Sequence, residues 1–129
     1  MLVPPQQDKP FKLYVSADNQ TIRSALIQEF EGKERVVFYL SRRLLDLETR
    51  YSPSEKLCLC LYFSCTKLRH YLLSAECMVV SKVDVIKHML SIPILNGRMG
   101  KWILALSEFD LMYESAKAVK GQLIANFII

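Results

Sequence analysis

The residues of this chain able to do chemistry are few and far apart. Four cysteines, Cys58, Cys60, Cys65 and Cys77, and two histidines, His70 and His88, are the soft metal ligands on offer. Zinc sites need ligand pairs at short, regular spacing, and this arrangement supplies none. Three of the cysteines fall in one stretch expected to be helical, where they serve as small core residues. Three acidic residues stand at element ends, and each has a local structural use. Asp18 opens the polar turn Asp18-Asn19-Gln20, a position that favours aspartate. Glu55 answers Ser52 as the far half of a capping box. Asp84 suits the N-cap of a short helix. Arg42, Arg43, Lys67, Arg69, Arg98 and Lys101 have the charge to follow a phosphate backbone, or to stand as solvated surface. The net charge of +4, from 17 basic and 13 acidic residues, permits a nucleic-acid partner without requiring one.

The elements that must position these residues follow from periodicity. Phe11, Leu13, Val15 and Ala17 alternate with Lys12, Tyr14 and Ser16, a strand pattern that runs into the Asp18 turn. Residues 22–28 pair back as a second strand. After a turn at 31–34, the β-branched and aromatic run 36–40 gives a third. Ser52-Pro53-Ser54-Glu55 opens a helix over 53–73, with serine at the N-cap and proline at the first helical position. Its apolar residues occupy several sides, so burial on more than one face is expected. A fourth strand follows over 77–83, then a short helix over 85–90 stopped before Pro93. The stretch 96–100 reads as a loop and 101–107 as a helix. A fifth strand begins near Phe109, and 118–129 begins a last helix. The fold class is therefore α/β, a five-stranded mixed sheet with flanking helices. The strand after the long helix is expected parallel to an earlier one through a right-handed crossover.

The chain has 129 residues and is 51% hydrophobic, which fits one domain. Residues 1–10, with three prolines and two glutamines, read as a linker joining an upstream region. No apolar run of signal-peptide type opens the chain, and none reaches the ~20 residues of a bilayer span. The expectation is a soluble intracellular protein, cytoplasmic or nuclear, with no membrane partner.

Six segments, in order, resemble one family. Leu13-Tyr14-Val15-Ser16-Ala17-Asp18 resembles its first strand. Phe38-Tyr39-Leu40-Ser41-Arg42-Arg43-Leu44 resembles its "tyrosine, x, serine, lysine or arginine, x, leucine" stretch. Arg50-Tyr51-Ser52-Pro53-Ser54-Glu55-Lys56-Leu57 and Leu68-Arg69-His70-Tyr71-Leu72 resemble the two ends of its long helix. Gly97-Arg98, Lys101-Trp102 and Leu106-Ser107-Glu108-Phe109-Asp110 resemble a late segment. Lys120-Gly121-Gln122-Leu123-Ile124-Ala125-Asn126 resembles its closing helix. The chain is identified by these as similar to the ribonuclease H-like domain of gypsy-type LTR-retrotransposon reverse transcriptases, of a lineage found in plant elements. The domain would span 11–129, with 1–10 joining it to an upstream polymerase domain.

The resemblance implies cleavage of the RNA strand of an RNA–DNA hybrid by two Mg²⁺ ions about 4 Å apart, held by four carboxylates. Carried over, the catalytic and metal-binding positions are Asp18, Glu55 and Asp84, and the fourth falls on Asn126, where the family has aspartate. Three alternatives stay open. The first position falls on Asp18 or Ala17, the second on Glu55 or Leu57, and the third on Asp84 or Val83. Arg42 and Arg43 are the basic pair that the resemblance places on nucleic acid. An amide binds Mg²⁺ less well than a carboxylate, so nuclease activity is expected to be weakened or lost. The domain would then serve as a structural, hybrid-binding tether, or be an orphan element fragment. No adjacent aspartate pair of the polymerase palm type occurs.

Overall fold

Alternating apolar residues build the sheet. In the computed structural model, which describes residues 2–82 and 97–115, three antiparallel strands form a meander: β1 (Phe11–Ala17), β2 (Thr21–Phe30) and β3 (Lys33–Arg43). The β2–β3 turn is two residues long, with Glu31 at φ 55° and Gly32 at φ 80°. Both central φ values are positive, the geometry that keeps the twist of the flanking strands, and Gly32 adopts it without a Cβ penalty. A long helix, α1 (Pro53–Lys67), and one further turn, α2 (Arg69–Leu72), lead to β4 (Cys77–Ser81). A third helix, α3 (Gly97–Leu106), precedes β5 (Leu111–Ser115). The strand order is β3-β2-β1-β4-β5, with β4 parallel to β1 and β5 parallel to β4. This is the mixed five-stranded sheet and the parallel return that the element order predicts.

Helix α1 covers one face of the sheet. Leu13, Val15, Leu26, Val79 and the α1 residues Leu57, Leu61 and Cys65 belong to one buried cluster, together with Leu68 and Leu72. A smaller cluster of Tyr14, Ala25, Ile27, Val36 and Val80 lies on the opposite face, as period-two alternation requires. One buried polar contact fixes the helix on the sheet: Ser64 Oγ donates to Ser24 Oγ at 2.7 Å. The start of α1 is set by its capping box, in which Glu55 N–H donates to Ser52 Oγ (3.2 Å) and Ser52 N–H donates to Glu55 Oε1 (3.1 Å). Ser52→Ala removes one half of it and is expected to cost about 0.5–2 kcal/mol in a denaturant melt.

Strand ends differ from the sequence reading, with β3 running over Lys33–Arg43 rather than 36–40, β4 ending at Ser81 rather than 83 and β5 starting at Leu111 rather than near Phe109, and two helix boundaries differ as well. The 53–73 helix is jogged at Leu68, although the ladder resumes at once through Leu72 N–H to Leu68 C=O at 3.1 Å. The loop expected at 96–100 is instead the first turn of α3 from Gly97 onward. Gly97 and Gly100 are poor helix formers, each costing about 1 kcal/mol against alanine. Packing overrides them: Leu106 is buried and Trp102 stacks on Tyr62 of α1, ring centroids 6.1 Å apart. Trp102 itself is half-buried. The expected helices over 85–90 and 118–129 lie outside the described residues.

Within 2–10, the backbone at Val3, Gln6 and Lys9 is hydrogen-bonded to the sheet. Gln28, only 1% exposed, accepts from Gln6 N–H at 2.8 Å and donates to the carbonyls of Gln6 and Lys9 at 3.0 and 3.2 Å. Val3 N–H donates to the Val36 carbonyl at 2.9 Å.

Candidate functional site

The site expected from the sequence would form where β1 ends beside the first turn of α1. Asp18 is there, exposed, one residue past β1. Its Oδ1 accepts from the backbone N–H groups of Gln20 (2.9 Å) and Thr21 (2.8 Å), closing the hairpin turn. The Gln20 N–H foremost, then that of Thr21 and the charges of Arg23 and Lys56, hold its carboxyl below the ordinary aspartate range. The charged groups that favour this carboxylate are thus two side-chain cations.

Glu55 is engaged in the capping box just described, so its local use is also the structural one. The alternative positions are apolar and packed: Leu57 is 7% exposed in the main core, and Ala17, half-buried, packs against the same cluster. Asp84, Val83 and Asn126 lie outside the described residues. Among the described residues, no three His, Cys, Asp or Glu side chains are placed to hold an ion. Asp18 and Glu55, one closing a turn and the other a cap, do not by themselves fit a two-metal centre.

The basic residues divide by what they touch. Arg42 is committed: its two terminal nitrogens donate to Glu48 Oε1 and Oε2, each at 2.8 Å, and its guanidinium lies 5.3 Å from the Phe63 ring centre. Arg69 pairs with Glu108 (2.9 Å), and Lys67 lies 5.8 Å from Phe63. Arg43 and Lys101 are exposed, and Arg98 falls in the first turn of α3. Of the expected nucleic-acid pair, Arg43 offers its charge to solvent, whereas Arg42 braces the loop before α1.

That brace carries a pH dependence. Glu48 is 9% exposed and accepts from Leu45 N–H at 2.8 Å as well as from Arg42. The Arg42 hydrogen bonds, helped by the Leu45 N–H and opposed by burial, hold its carboxyl below the usual glutamate range. A depressed carboxylate pKa gives stability that is present above the unfolded value and is lost as pH falls through the folded one. Glu48→Gln is expected to cost about 1–3 kcal/mol at neutral pH. It should also flatten the loss of stability on acidification; an unchanged acid limb in the variant would contradict the assignment.

All four cysteines are buried and free. Burial pushes the thiols of Cys58 and Cys77 up to about 12 and that of Cys60 to about 11. They are core residues, as their spacing suggests, and poor nucleophiles at neutral pH. Sequence reasoning passed over Glu48 and Lys56. Glu48 stands six residues from its partner with no motif linking them. Lys56 is masked by the capping box next to it; its signal is a lysine one turn before the apolar stripe continuing to Cys60 and Ser64.

Residues 6–109 match the family described as the RNase H-like domain found in reverse transcriptase. The retrovirus-related Pol polyprotein from transposon opus of Drosophila melanogaster is 30% identical over 113 residues, covering 85% of this chain and 11% of that protein. The Gag-Pol polyprotein of Walleye dermal sarcoma virus is 25% identical over 122 residues, covering 92% of this chain and 7% of that one. The chain therefore spans about a tenth of the curated relatives it matches. Among solved structures, the foamy viral protease-reverse transcriptase in complex with dsDNA superposes with a TM-score of 0.71 at 18% identity, over 92% of this chain and 26% of that one. The same enzyme in complex with RNA/DNA hybrid gives a TM-score of 0.66 at 18% identity, over 91% and 17%.

Proposed function

We propose, for a chain that belongs to the RNase H-like domains found in reverse transcriptases, that it acts as a hybrid-binding domain whose nuclease activity is weakened or lost. One observation carries the reading: the Asp18 carboxylate closes its own turn and has Arg23 and Lys56 as its charged neighbours. A two-metal nuclease needs a ring of free carboxylates at this point. The apolar packing of Ala17 and Leu57 leaves no acid at the alternative positions.

The Mg²⁺ pair belongs to the family reading. When bound, such ions activate the attacking water and stabilise the leaving oxygen. The residues proposed toward them are Asp18, Glu55 and Asp84, with Asn126 as the substituted fourth. Arg43 would contact the phosphate backbone directly, and Arg42 would do so only through the loop it braces. The partners proposed are an RNA–DNA hybrid, read by its A-form shape rather than its sequence, and an upstream polymerase region reached through residues 1–10. The Gln28 hydrogen bonds to that stretch would make the join a fixed one. Within the family, the motif spellings favour a gypsy-type retrotransposon origin of plant type. No helix among the described residues is long and apolar enough to cross a membrane.

The test is a labelled RNA–DNA hybrid incubated with the chain in Mg²⁺ and in Mn²⁺, with binding followed in parallel by gel shift. Retained binding without cleavage is expected. Cleavage abolished by Asp18→Asn would refute the weakened reading, and absence of both binding and cleavage would favour an orphan fragment.

A further inference from the structure

Strand β3 is the outer strand on one side of the sheet, and its pairing with β2 is regular from Phe38 to Arg43. Leu44 N–H donates to the Gln20 carbonyl at 2.7 Å, so Leu44 bonds inward, towards the β2 side. Backbone direction alternates along a strand. Leu40 and Arg42 therefore also bond inward, and Tyr39, Ser41 and Arg43 turn their N–H and C=O groups outward. The bulge before Phe38 shifts this alternation by one residue. On its other side the Val36 carbonyl faces outward, where it accepts from Val3 N–H at 2.9 Å. The free edge thus ends at the bulge on one side and at the inward bond of Leu44 on the other. Among the described residues, nothing bonds to the outward groups of Tyr39 and Ser41 or to the Arg43 N–H. The Arg43 carbonyl accepts from Arg42 Nη1 at 3.3 Å and keeps its second lone pair. Tyr39 pairs with Ala25, which belongs to the cluster on the face away from α1, so Tyr39, Ser41 and Arg43 share that face. All are exposed, Tyr39 by 53%.

We propose that this edge is a self-association surface, on which β3 of one copy pairs antiparallel with β3 of a second copy about a two-fold axis at Ser41. An unpaired strand edge is a template for another strand. Its outward residues fix the register. Only the overlap centred on Ser41 engages Tyr39, Ser41 and Arg43 together. Ser41 then faces Ser41, and Tyr39 faces Arg43 of the second copy on either side, each pair exchanging both N–H···O bonds. Any other register leaves an outward residue unpaired, and the one that slides furthest towards the end of β3 sets Arg43 against Arg43. The centred overlap instead lays each guanidinium against a tyrosine ring, a cation–π contact. The edge is self-complementary in this way, as a two-fold interface must be. A guanidinium stacked on a ring keeps its N–H edge free, so the phosphate contact proposed for Arg43 is compatible with the pairing. The inference does not rest on hybrid binding.

Sedimentation equilibrium of the chain, up to millimolar concentration, tests it. A concentration-dependent monomer–dimer equilibrium is expected. In the same range the amides of Tyr39, Ser41 and Arg43 should gain protection from hydrogen exchange, while those of Leu40 and Arg42, already bonded inward, should not. Tyr39→Lys sets a lysine opposite Arg43 of the second copy and should weaken dimerisation at least about tenfold. Tyr39→Lys combined with Arg43→Glu turns those like-charge pairs into opposite-charge pairs and should restore it. Leu104→Ala, on α3, should leave the equilibrium unchanged. A chain that stays monomeric throughout, a dimer without new protection at Tyr39, Ser41 and Arg43, a dimer as strong in Tyr39→Lys, or no recovery in the double variant would each overturn the proposal. The first two are read on the unmodified chain and stand whether or not the variants fold.

Discussion

Leu61→Ala is expected to lower the stability of this domain by about 2–5 kcal/mol. Leu61 is 1% exposed, in the middle of α1, inside the cluster that joins the helix to β1, β2 and β4. Truncation removes the transfer energy of the buried side chain and leaves a cavity that close-packed neighbours fill only in part. A domain has about 5–15 kcal/mol in total, so a thermal midpoint lower by roughly 10 °C is expected. Leu104→Ala is the matched control. Leu104 is 63% exposed on α3, and its truncation should change stability by no more than about 0.5 kcal/mol. Equal midpoints for Leu61→Ala and the unmodified chain would mean that α1 does not present this face to the sheet.

The helix register behind that expectation was legible in the sequence because several independent signals agree on it. The Ser52 cap fixes the first residue, and Leu57, Leu61, Cys65, Leu68 and Leu72 then fall on one buried side. The meander was equally plain, since Leu13, Val15 and Tyr14 sort onto opposite faces by alternation alone. What failed to show was governed by contacts distant in sequence. The first turn of α3 holds two glycines, and only its packing with α1 makes it helical. The anchoring of Gln6 and Lys9 by Gln28 has no local signature, because a glutamine in a strand gives no hint of the segment it will clasp.

The candidate site divides along the same line. Sequence gave both structural uses correctly: the turn for Asp18 and the cap for Glu55 are each complete within three residues. The company those carboxylates keep was not readable. Arg23 lies across the hairpin from β1 and Lys56 on another element, and only the helix-on-sheet packing sets both near Asp18. The pairing of Arg42 with Glu48 was hidden for a related reason. An arginine in a family-like motif reads as a phosphate contact until its bidentate partner is seen.

The expected catalytic outcome follows from those neighbours. Neither the unmodified chain nor Asn126→Asp is expected to cleave an RNA–DNA hybrid in Mg²⁺ at a rate within orders of magnitude of a four-carboxylate enzyme. Asn126 lies outside the described residues, and the substitution would return only the charge missing from the closing motif. Two-metal hydrolysis needs attack and departure in line between two ions, so one ligand cannot restore it when another is engaged elsewhere. The Asp18 carboxylate is held in its turn by two backbone N–H groups at Oδ1, and the charges of Arg23 and Lys56 oppose the approach of an ion to it. Hybrid affinity should change little in either protein, because phosphate contacts carry most of it, and should fall steeply with salt. The measurement is single-turnover cleavage of a labelled hybrid by the unmodified chain, Asn126→Asp, and Asn126→Asp with Asp18→Asn. Measurable cleavage by Asn126→Asp that disappears in the double variant would show that Asp18 is free to bind metal, and that only the fourth carboxylate had been missing.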